Sequence, residues 1–415
     1  MRRALLNSRW RTAKIATVLA AVLAALIGMG AMAVSAGTTT GPWSQTDYNA
    51  AQSRANLNEQ ILTRTTVGKV LRLREITPPP ADTTGCSDPG IVAPVLTGGR
   101  LYAVANGRLT KYNPATGTVI WQRTPDPTFS VYFRSLAVAG GLVIVGELDC
   151  GSVSDPNGFI QAFNASTGAL VWSTFITPNG DGALMQLVVS GGYVVAAGAS
   201  DGGGDVVSVR ELTTGASVWY RETDYCGGGG NVLVVAQLVM SIACDQNAAA
   251  SLTANNLATG ALAWSRPGVW GLQRGDTDAS TGRHLYATNP NGTVVSLNPL
   301  TGKWQYQLAG ATHVLAVATS RVFADCGSLG VCAYSITSGS RQWNAQPGSA
   351  TDLAASAGGV LYLDQGLALN TGTGATMATL WAGSQASALA VGNGRIAVVT
   401  GPAGQVLKLY GLSGY

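Results

Sequence analysis

Histidine is the scarcest chemical group in this sequence, with only His284 and His313 in 415 residues. The two lie 29 residues apart, and neither has cysteines or carboxylates around it at the spacing of a zinc site. A serine hydrolase is also disfavoured, because no Gly-x-Ser-x-Gly turn leads into a predicted helix. We therefore expect both histidines to be strand or turn residues.

Charged residues are scarce as well, at 11% of the chain. Five of the 25 lysines and arginines fall within residues 1–36, which contain no acid, so 20 basic residues remain against 21 acidic ones. Beyond that point no basic cluster exceeds Arg72 and Arg74. Binding to a phosphate backbone requires a basic surface, so the sequence argues against nucleic acid as a partner.

No apolar stripe with the 3.6-residue period of a helix is evident. The 54 glycines are spread through the chain, which indicates many tight turns. Two glycine runs, at 202–204 and 227–230, are followed by predicted strands. A phosphate-binding loop requires a helix N-terminus at that place, so we interpret both runs as loops of a β protein.

What the sequence does contain is a repeat, shown most clearly by residues 162–172, Ala-Phe-Asn-Ala-Ser-Thr-Gly-Ala-Leu-Val-Trp. Each copy passes from an apolar alternation through Asn and Thr-Gly to a Trp four residues later. The Asn can hydrogen-bond to its own backbone and the Gly accepts a positive φ, so the pattern predicts strand, tight turn, strand. The marker glycines are Gly117, Gly168, Gly215, Gly260, Gly302, Gly339, Gly374 and Gly414.

The spacing of these markers, 35 to 51 residues, is typical of four-stranded propeller blades. We predict an all-β fold, an eight-bladed β-propeller of four-stranded antiparallel blades. The eighth copy has no outgoing strand after Gly414, and an open blade would expose two sheet edges. Residues 67–74 alternate like a strand, so they should close the last blade by pairing with 405–410. Deleting residues 37–76 should then unfold the protein, whereas deleting 37–60 should matter less.

This unit resembles the tryptophan-docking motif of the PQQ-type β-propeller repeat, shared by quinoprotein alcohol dehydrogenases and the lipoprotein of the outer-membrane barrel assembly machine. The resemblance implies that each Trp docks near the motif Gly of the neighbouring blade. The aromatic positions are Trp121, Trp172, Trp219, Trp264, Tyr306 and Trp343, and the glycines are Gly117, Gly168, Gly215, Gly260, Gly302 and Gly339. In the seventh copy Ala378 stands in place of the Trp.

A quinoprotein dehydrogenase would also need, by resemblance, two adjacent cysteines, a calcium site and a Trp floor under PQQ. No two cysteines are adjacent here, and we predict no PQQ. Calcium stays open, because Asp and Asn recur in the loop after the second strand of each blade, and Asp201 with Asp205 are the best candidate ligands. Turn preference alone explains the same acids.

The N-terminus divides before the propeller of residues 67–415. Residues 1–36 have a basic start, an apolar core and small residues before a cleavage point after Ala36, which predicts a secretory signal. The apolar run 15–34 is also long enough for an uncleaved membrane anchor. Residues 37–66 are polar and resemble the segment that precedes the propeller in the same family. A linker would have the same polar composition, so both interpretations stay open.

Six cysteines behind an export signal favour disulfides. Their positions in the repeat predict Cys226 with Cys244, Cys326 with Cys332, and Cys86 with Cys150; buried free thiols are the alternative.

Two function classes stay open. The first is a non-enzymatic extracytoplasmic scaffold, a secreted, cell-surface or membrane-anchored monomer that binds a protein or cell-wall ligand on a propeller face. The second is a propeller-class enzyme, such as a PQQ-dependent dehydrogenase or a glycan-active enzyme. Few acids or histidines lie outside turn positions, so the sequence favours the scaffold.

Overall fold

The computed structural model describes the chain from residue 41 onward with several gaps. The described residues are 41–78, 91–105, 107–124, 131–149, 157–178, 180, 182–200, 204–224, 230–244, 250–276, 282–348, 351–401 and 406–414. These residues contain no α-helix; apart from two short 3-10 helices, Val67–Lys69 and Gly327–Leu329, the regular structure is β. None of them forms a helix long and apolar enough to cross a membrane.

Each repeat folds into one antiparallel sheet whose four strands follow the chain order from the centre outward. Blades one to four contain β3 (Ile91–Thr97), β4 (Arg100–Ala105), β5 (Arg108–Tyr112) and β6 (Val119–Arg123); β7 (Val131–Ala139), β8 (Leu142–Asp149), β9 (Gly158–Asn164) and β10 (Leu170–Phe175); β11 (Gly182–Ser190), β12 (Tyr193–Ser200), β13 (Asp205–Glu211) and β14 (Ser217–Thr223); β15 (Leu233–Val235), β16 (Leu238–Ala243), β17 (Ser251–Asn256) and β18 (Leu262–Pro267).

The later blades repeat this arrangement. Blades five to seven contain β19 (Gly271–Gly275), β20 (Leu285–Thr288), β21 (Val294–Leu297) and β22 (Trp304–Gln307); β23 (His313–Val317), β24 (Arg321–Asp325), β25 (Val331–Ser335) and β26 (Arg341–Ala345); β27 (Ala354–Ala357), β28 (Val360–Leu363), β29 (Leu367–Asn370) and β30 (Thr376–Thr379). A two-residue strand, β1 (Ala55–Asn56), pairs in parallel with the inner edge of β27.

The eighth blade joins the two ends of the chain, as the missing outgoing strand predicted. It contains β31 (Ala388–Gly392), β32 (Arg395–Thr400), β33 (Val406–Gly411) and, outermost, β2 (Leu71–Ile76). β2 is antiparallel to β33, with Leu71 opposite Gly411 and Ile76 opposite Leu407. The closing strand starts four residues later than predicted, because Val67–Lys69 form a 3-10 turn before it. The eight-bladed prediction is thus confirmed.

Packing between the sheets is apolar. The inner three strands of each blade are largely buried, whereas outer strands such as β6 and β10 are exposed or half-buried except at their Trp. This follows from the architecture, because the outer strand covers its sheet on one side only and its other edge faces solvent.

Candidate functional site

The motif tryptophans lie against the motif glycines of the next blade. Gly168 has φ of +71°, and a Cβ added to it would lie 2.8 Å from the Trp121 ring. The same close approach joins Gly215 to Trp172, Gly260 to Trp219, Gly302 to Trp264, Gly339 to Tyr306 and Gly374 to Trp343. Glycine is needed at these positions for two reasons, the positive φ and the absence of a side chain under the ring.

Each ring also donates a hydrogen bond across the blade boundary. The indole N–H of Trp172 donates to the Leu212 carbonyl at 3.0 Å, and that of Trp264 donates to the Pro299 carbonyl at 2.7 Å. Where the fifth blade has Tyr306, its hydroxyl donates to the Ile336 carbonyl instead. The equivalent bonds elsewhere run from Trp121 to Ala165, from Trp219 to Leu257 and from Trp343 to Thr371.

Two blade boundaries lack an aromatic ring at this position. Between the eighth and first blades, Ile76 of β2 lies where the Trp would be, and its Cγ1 is 3.8 Å from the Cβ position of Gly117. Between the seventh and eighth, a Cβ on Gly414 would meet nothing within 4 Å. There Trp381 packs on Tyr410, with ring centroids 5.3 Å apart, and links the two blades by another route.

Residues 41–56, which we call the plug, lie inside the ring and contact the first strand of every blade. Trp43 and Leu96 exchange two backbone hydrogen bonds, and Trp43 is fully buried. The Gln45 side chain pairs with both backbone groups of Val189, much as a neighbouring strand would. The other contacts in chain order join Ser44 to Val138, Ala50 to Val234, Ala51 to Gly275, Ser53 to Val317, Arg54 to Ser356 and Asn56 to Val391.

All these partners lie near the end of a first strand, so the plug fills the channel at the end where first and second strands are joined. The polar residues of the plug therefore satisfy strand edges that would otherwise be buried without partners. The segment treated from sequence as a lead or a linker is part of the propeller core from residue 41 onward.

An ionic cluster sits in the plug. The Nε of Arg54 donates to Asp47 Oδ1 at 2.6 Å, and Nη1 of Arg274 lies 3.3 Å from Asp47 Oδ2. Arg274, which comes from β19, also donates to the Gln52 carbonyl at 2.7 Å and to the Val314 carbonyl at 2.9 Å. Two arginines and one aspartate leave the cluster with one positive charge.

Burial and charge act in opposite directions on these groups. Burial alone would raise the pKa of the Asp47 carboxyl, but Arg54 and Arg274 outweigh it and hold this pKa below its usual value. Burial, with repulsion from Arg54, lowers the pKa of Arg274 to about 10, so it stays charged near pH 7. Asp47 is therefore ionised and forms ion pairs with both arginines.

A cavity of about 580 Å³, which we call the funnel, lies against the plug beside blades one, seven and eight. Its walls come from the starts of first strands and the end of one second strand, and its floor includes Asp47 and Arg54. The funnel therefore opens on the face that carries the loops after second strands. Its other lining residues are Thr46, Ile91, Ala93, Leu353, Ser387, Ala388, Leu389 and Gly401.

The candidate calcium ligands stay a prediction. Asp205 begins β13 and is buried, and Asp201 lies outside the described residues. Within the described ranges no three His, Cys, Asp or Glu side chains are grouped closely enough to hold a metal ion. Two other loop acids hold turns: Asp364 accepts from the backbone N–H of Asp352 and Asp325 accepts from that of Gly327.

The disulfide between Cys326 and Cys332 is present, with Cα atoms 6.0 Å apart. Cys244 is also disulfide-bonded, but its predicted partner Cys226 lies outside the described residues. The predicted pair of Cys86 and Cys150 lies outside them too. These two pairs stay predictions.

Both histidines have structural surroundings. His284 is buried beside Ser296 and Gln305, which lie 3.0 and 2.9 Å from its Nδ1, and burial lowers its pKa. His313 starts β23 and contacts the Thr312 hydroxyl.

Sequence reasoning missed the site formed by Asp47, Arg54 and Arg274. The signal that was present is Arg274 itself, because the first strands of the other blades have mostly apolar residues at the position that Arg274 occupies in β19. A buried cation needs a partner anion, yet nothing in the local sequence connects Arg274 to Asp47, 227 residues away.

The fold and the docking contacts define a PQQ-type β-propeller. The sequence matches the family described as Outer membrane protein assembly factor BamB over residues 32–266 and 248–404. The chain therefore belongs to this PQQ-type (BamB) propeller family.

Among individual relatives, the chain is 30% identical over 178 residues to quinohemoprotein alcohol dehydrogenase ADH IIB of Pseudomonas putida. That match covers 38% of this chain and only 25% of the enzyme, so the chain spans about a quarter of its relative.

Solved structures show the same fold at low identity. The quinohemoprotein alcohol dehydrogenase of Comamonas testosteroni superposes with a TM-score of 0.66 and 14% identity, over 94% of this chain and 84% of that one. The enzyme ADHIIG of Pseudomonas putida HK5 gives 0.65 and 13%, over 93% and 82%. BamB of Moraxella catarrhalis gives 0.56 and 18%, over 83% and 98%.

These relatives raise the question of whether the funnel suits a calcium-bound quinone. Asp47 is the only acid among the described lining residues, and two guanidinium groups already neutralise it. A divalent cation there would have to displace an arginine and would meet a net positive charge. No aromatic side chain lines the described part of the funnel, so a planar cofactor has no ring to stack on. The described lining residues therefore do not fit PQQ with calcium.

Proposed function

We propose that this protein is an extracytoplasmic, non-enzymatic scaffold that works without a quinone cofactor and binds a protein or cell-envelope ligand on the face with the funnel. The observation that carries the proposal is the plug. Sixteen residues of the chain itself close the channel at one end, and Arg54 and Arg274 both pair with Asp47, the one acid among the described lining residues. An arrangement held in this way suits a preformed binding surface.

Family membership supports the same function. BamB is described as an outer-membrane protein assembly factor, and the chain covers 98% of the Moraxella catarrhalis BamB structure. Low identity limits this comparison to the fold. In proteins with a rigid scaffold, the residues that bind partners are concentrated on exposed loops.

A quinone-dependent dehydrogenase is the second candidate, and the match to ADH IIB is what favours it. On that function the funnel would hold the quinone and an alcohol would be oxidised beside it. The positive floor disfavours the calcium ion, and the lack of a stacking ring in the described funnel disfavours a planar quinone.

The two functions separate in one reconstitution assay. The purified protein is mixed with PQQ and Ca²⁺, and dye reduction is followed with alcohols and sugars, with a quinohemoprotein dehydrogenase as positive control. We expect no turnover above that of a heat-killed sample. Turnover well above that level would overturn the scaffold proposal.

Binding is tested separately by crosslinking the secreted protein in its native envelope and repeating the interaction with purified components. We expect the captured partner to bind the parent and to lose affinity for Ser387→Trp, which adds bulk at the funnel wall. A partner that binds both proteins equally would place the interaction on another surface.

A further inference from the structure

At the floor of the funnel, the guanidinium of Arg54 has hydrogen-bond donors that its pairing with Asp47 does not use. Arg54 uses its Nε for Asp47, and within the described part of the chain its two terminal amino groups have no hydrogen-bond partner. Only 15% of the side chain is exposed, and Arg54 lines the funnel. A guanidinium carries five donors, so Arg54 offers several of them to whatever enters the funnel.

The backbone around this group is strained in a way that fixes its position. Seven described residues other than glycine have positive φ, and four of them, Asp47, Tyr48, Gln52 and Arg54, lie in the plug. Such conformations are unfavourable for residues with a side chain and persist where the surroundings enforce them. The Arg54 N–H donates to the Asp47 carbonyl, and its own carbonyl accepts from Ser356, so the strained turn is held on both sides.

Charge and wall chemistry define the class of ligand. The ionic cluster at the floor carries a net charge of +1. The guanidinium of Arg54 has paired N–H donors that match the two oxygens of a carboxylate. Most of the wall side chains are apolar, among them Ile91, Ala93, Ala388 and Leu389, with Thr46 and Ser387 beside them. A ligand that suits the floor and the walls has a carboxylate next to an apolar group. The funnel volume of about 580 Å³ admits a few residues of a peptide.

We propose that the funnel is a carboxylate-binding site in which Arg54 receives the carboxylate of an apolar chain end, such as the C-terminus of a peptide. A free organic acid would share this chemistry, and the arms of the experiment below distinguish the two sources. The inference rests on the proposed function in one respect, because in a quinone enzyme the same space would be taken by the cofactor.

The test measures binding of labelled N-acetylated tetrapeptides that end in leucine, either with a free carboxylate or as the C-terminal amide, by fluorescence anisotropy. We expect the carboxylate form to bind and the amide to bind at least about tenfold more weakly, since hydrogen bonds to charged groups are the strong ones. Short apolar acids without a peptide chain compete in a separate arm. Competition at equal affinity would identify a free acid as the source, and weak competition a chain end.

Two variants keep the test independent of folding. Arg54→Gln removes the charge and should lower affinity for the carboxylate peptide at least about tenfold. Ala93→Phe leaves Arg54 and the plug intact but fills the funnel, and it should also abolish binding. Arg100→Gln, at an exposed position outside the funnel, should bind like the parent.

Equal binding of the carboxylate and amide peptides, or unchanged affinity in both Arg54→Gln and Ala93→Phe, would overturn the carboxylate site. This failure is distinct from failure of the scaffold proposal, which shows as dye reduction in the presence of PQQ. A protein that reduces dye and loses peptide binding when PQQ is added would be a quinone enzyme whose funnel binds the cofactor.

Discussion

Removing one docking ring tests the contacts that join the blades. Trp172 is 9% exposed, packs over Gly215 and donates to the Leu212 carbonyl at 3.0 Å. A buried aromatic covers roughly 150–250 Å², which at about 25 cal/mol per Å² gives about 4–6 kcal/mol. The lost hydrogen bond adds about 1 kcal/mol, and partial collapse of the cavity subtracts from the total. For Trp172→Ala we therefore expect a loss of about 3–5 kcal/mol, the usual range for this change.

The assay is equilibrium unfolding in urea, followed by circular dichroism and tryptophan fluorescence. Trp304 provides a matched control, because it is also a strand tryptophan but is 45% exposed. Trp304→Ala should change the free energy of unfolding by no more than about 0.5 kcal/mol. Equal midpoints for Trp172→Ala and the parent would show that the ring does not join the blades, and the docking interpretation would be wrong.

Two further predictions concern the plug. Deleting residues 41–56 should give insoluble or unfolded protein, because eight strand edges lose their partners. Soluble yield and circular dichroism measure this, and a melting curve like that of the parent would contradict it. The control is Leu57→Ser, at a position that is 46% exposed. Because the folded-state pKa of Asp47 is depressed, its contribution to stability is complete above the unfolded value near 3.8 and is lost as pH falls through and below it. Urea unfolding between pH 7 and pH 3 should therefore show a steeper loss for the parent than for Asp47→Asn, and parallel curves would contradict the ion-pair argument.

The repeat allowed most of the fold to be predicted, because each turn carries its own information. Asn164 and Gly168 determine a turn within five residues, and the same local chemistry recurs in every blade. The missing outgoing strand after Gly414 also predicted closure by the N-terminus. What local chemistry did not reveal was the start of that strand, since Val67 and Lys69 alternate like strand residues but form a 3-10 turn.

The plug and the funnel floor were beyond local reasoning. The plug forms little regular structure, so its sequence has no period, and its function depends on partners from eight separate blades. The expectation that deleting residues 37–60 would matter less than deleting 37–76 stays a prediction, and the contacts of the plug with every blade argue that the shorter deletion also damages the core. Asp47 and Arg274 lie 227 residues apart in the sequence and meet only in the folded ring. Long-range pairs of this kind become visible only when the ring is known.

The position of β2 has a consequence for how the protein is made. Its partner residues in β33 lie 331 to 340 positions later in the chain, from the pair Ile76–Leu407 to the pair Leu71–Gly411. While the chain is synthesised from its N-terminus, β2 therefore stays unpaired until β33 has been made, whereas the plug meets its partners one blade after another. An unpaired strand edge invites pairing with other chains during that time. Contacts of such sequence separation also slow folding. The ring therefore closes only once β33 has been made, and until then the edge of β2 is open to pairing with other chains.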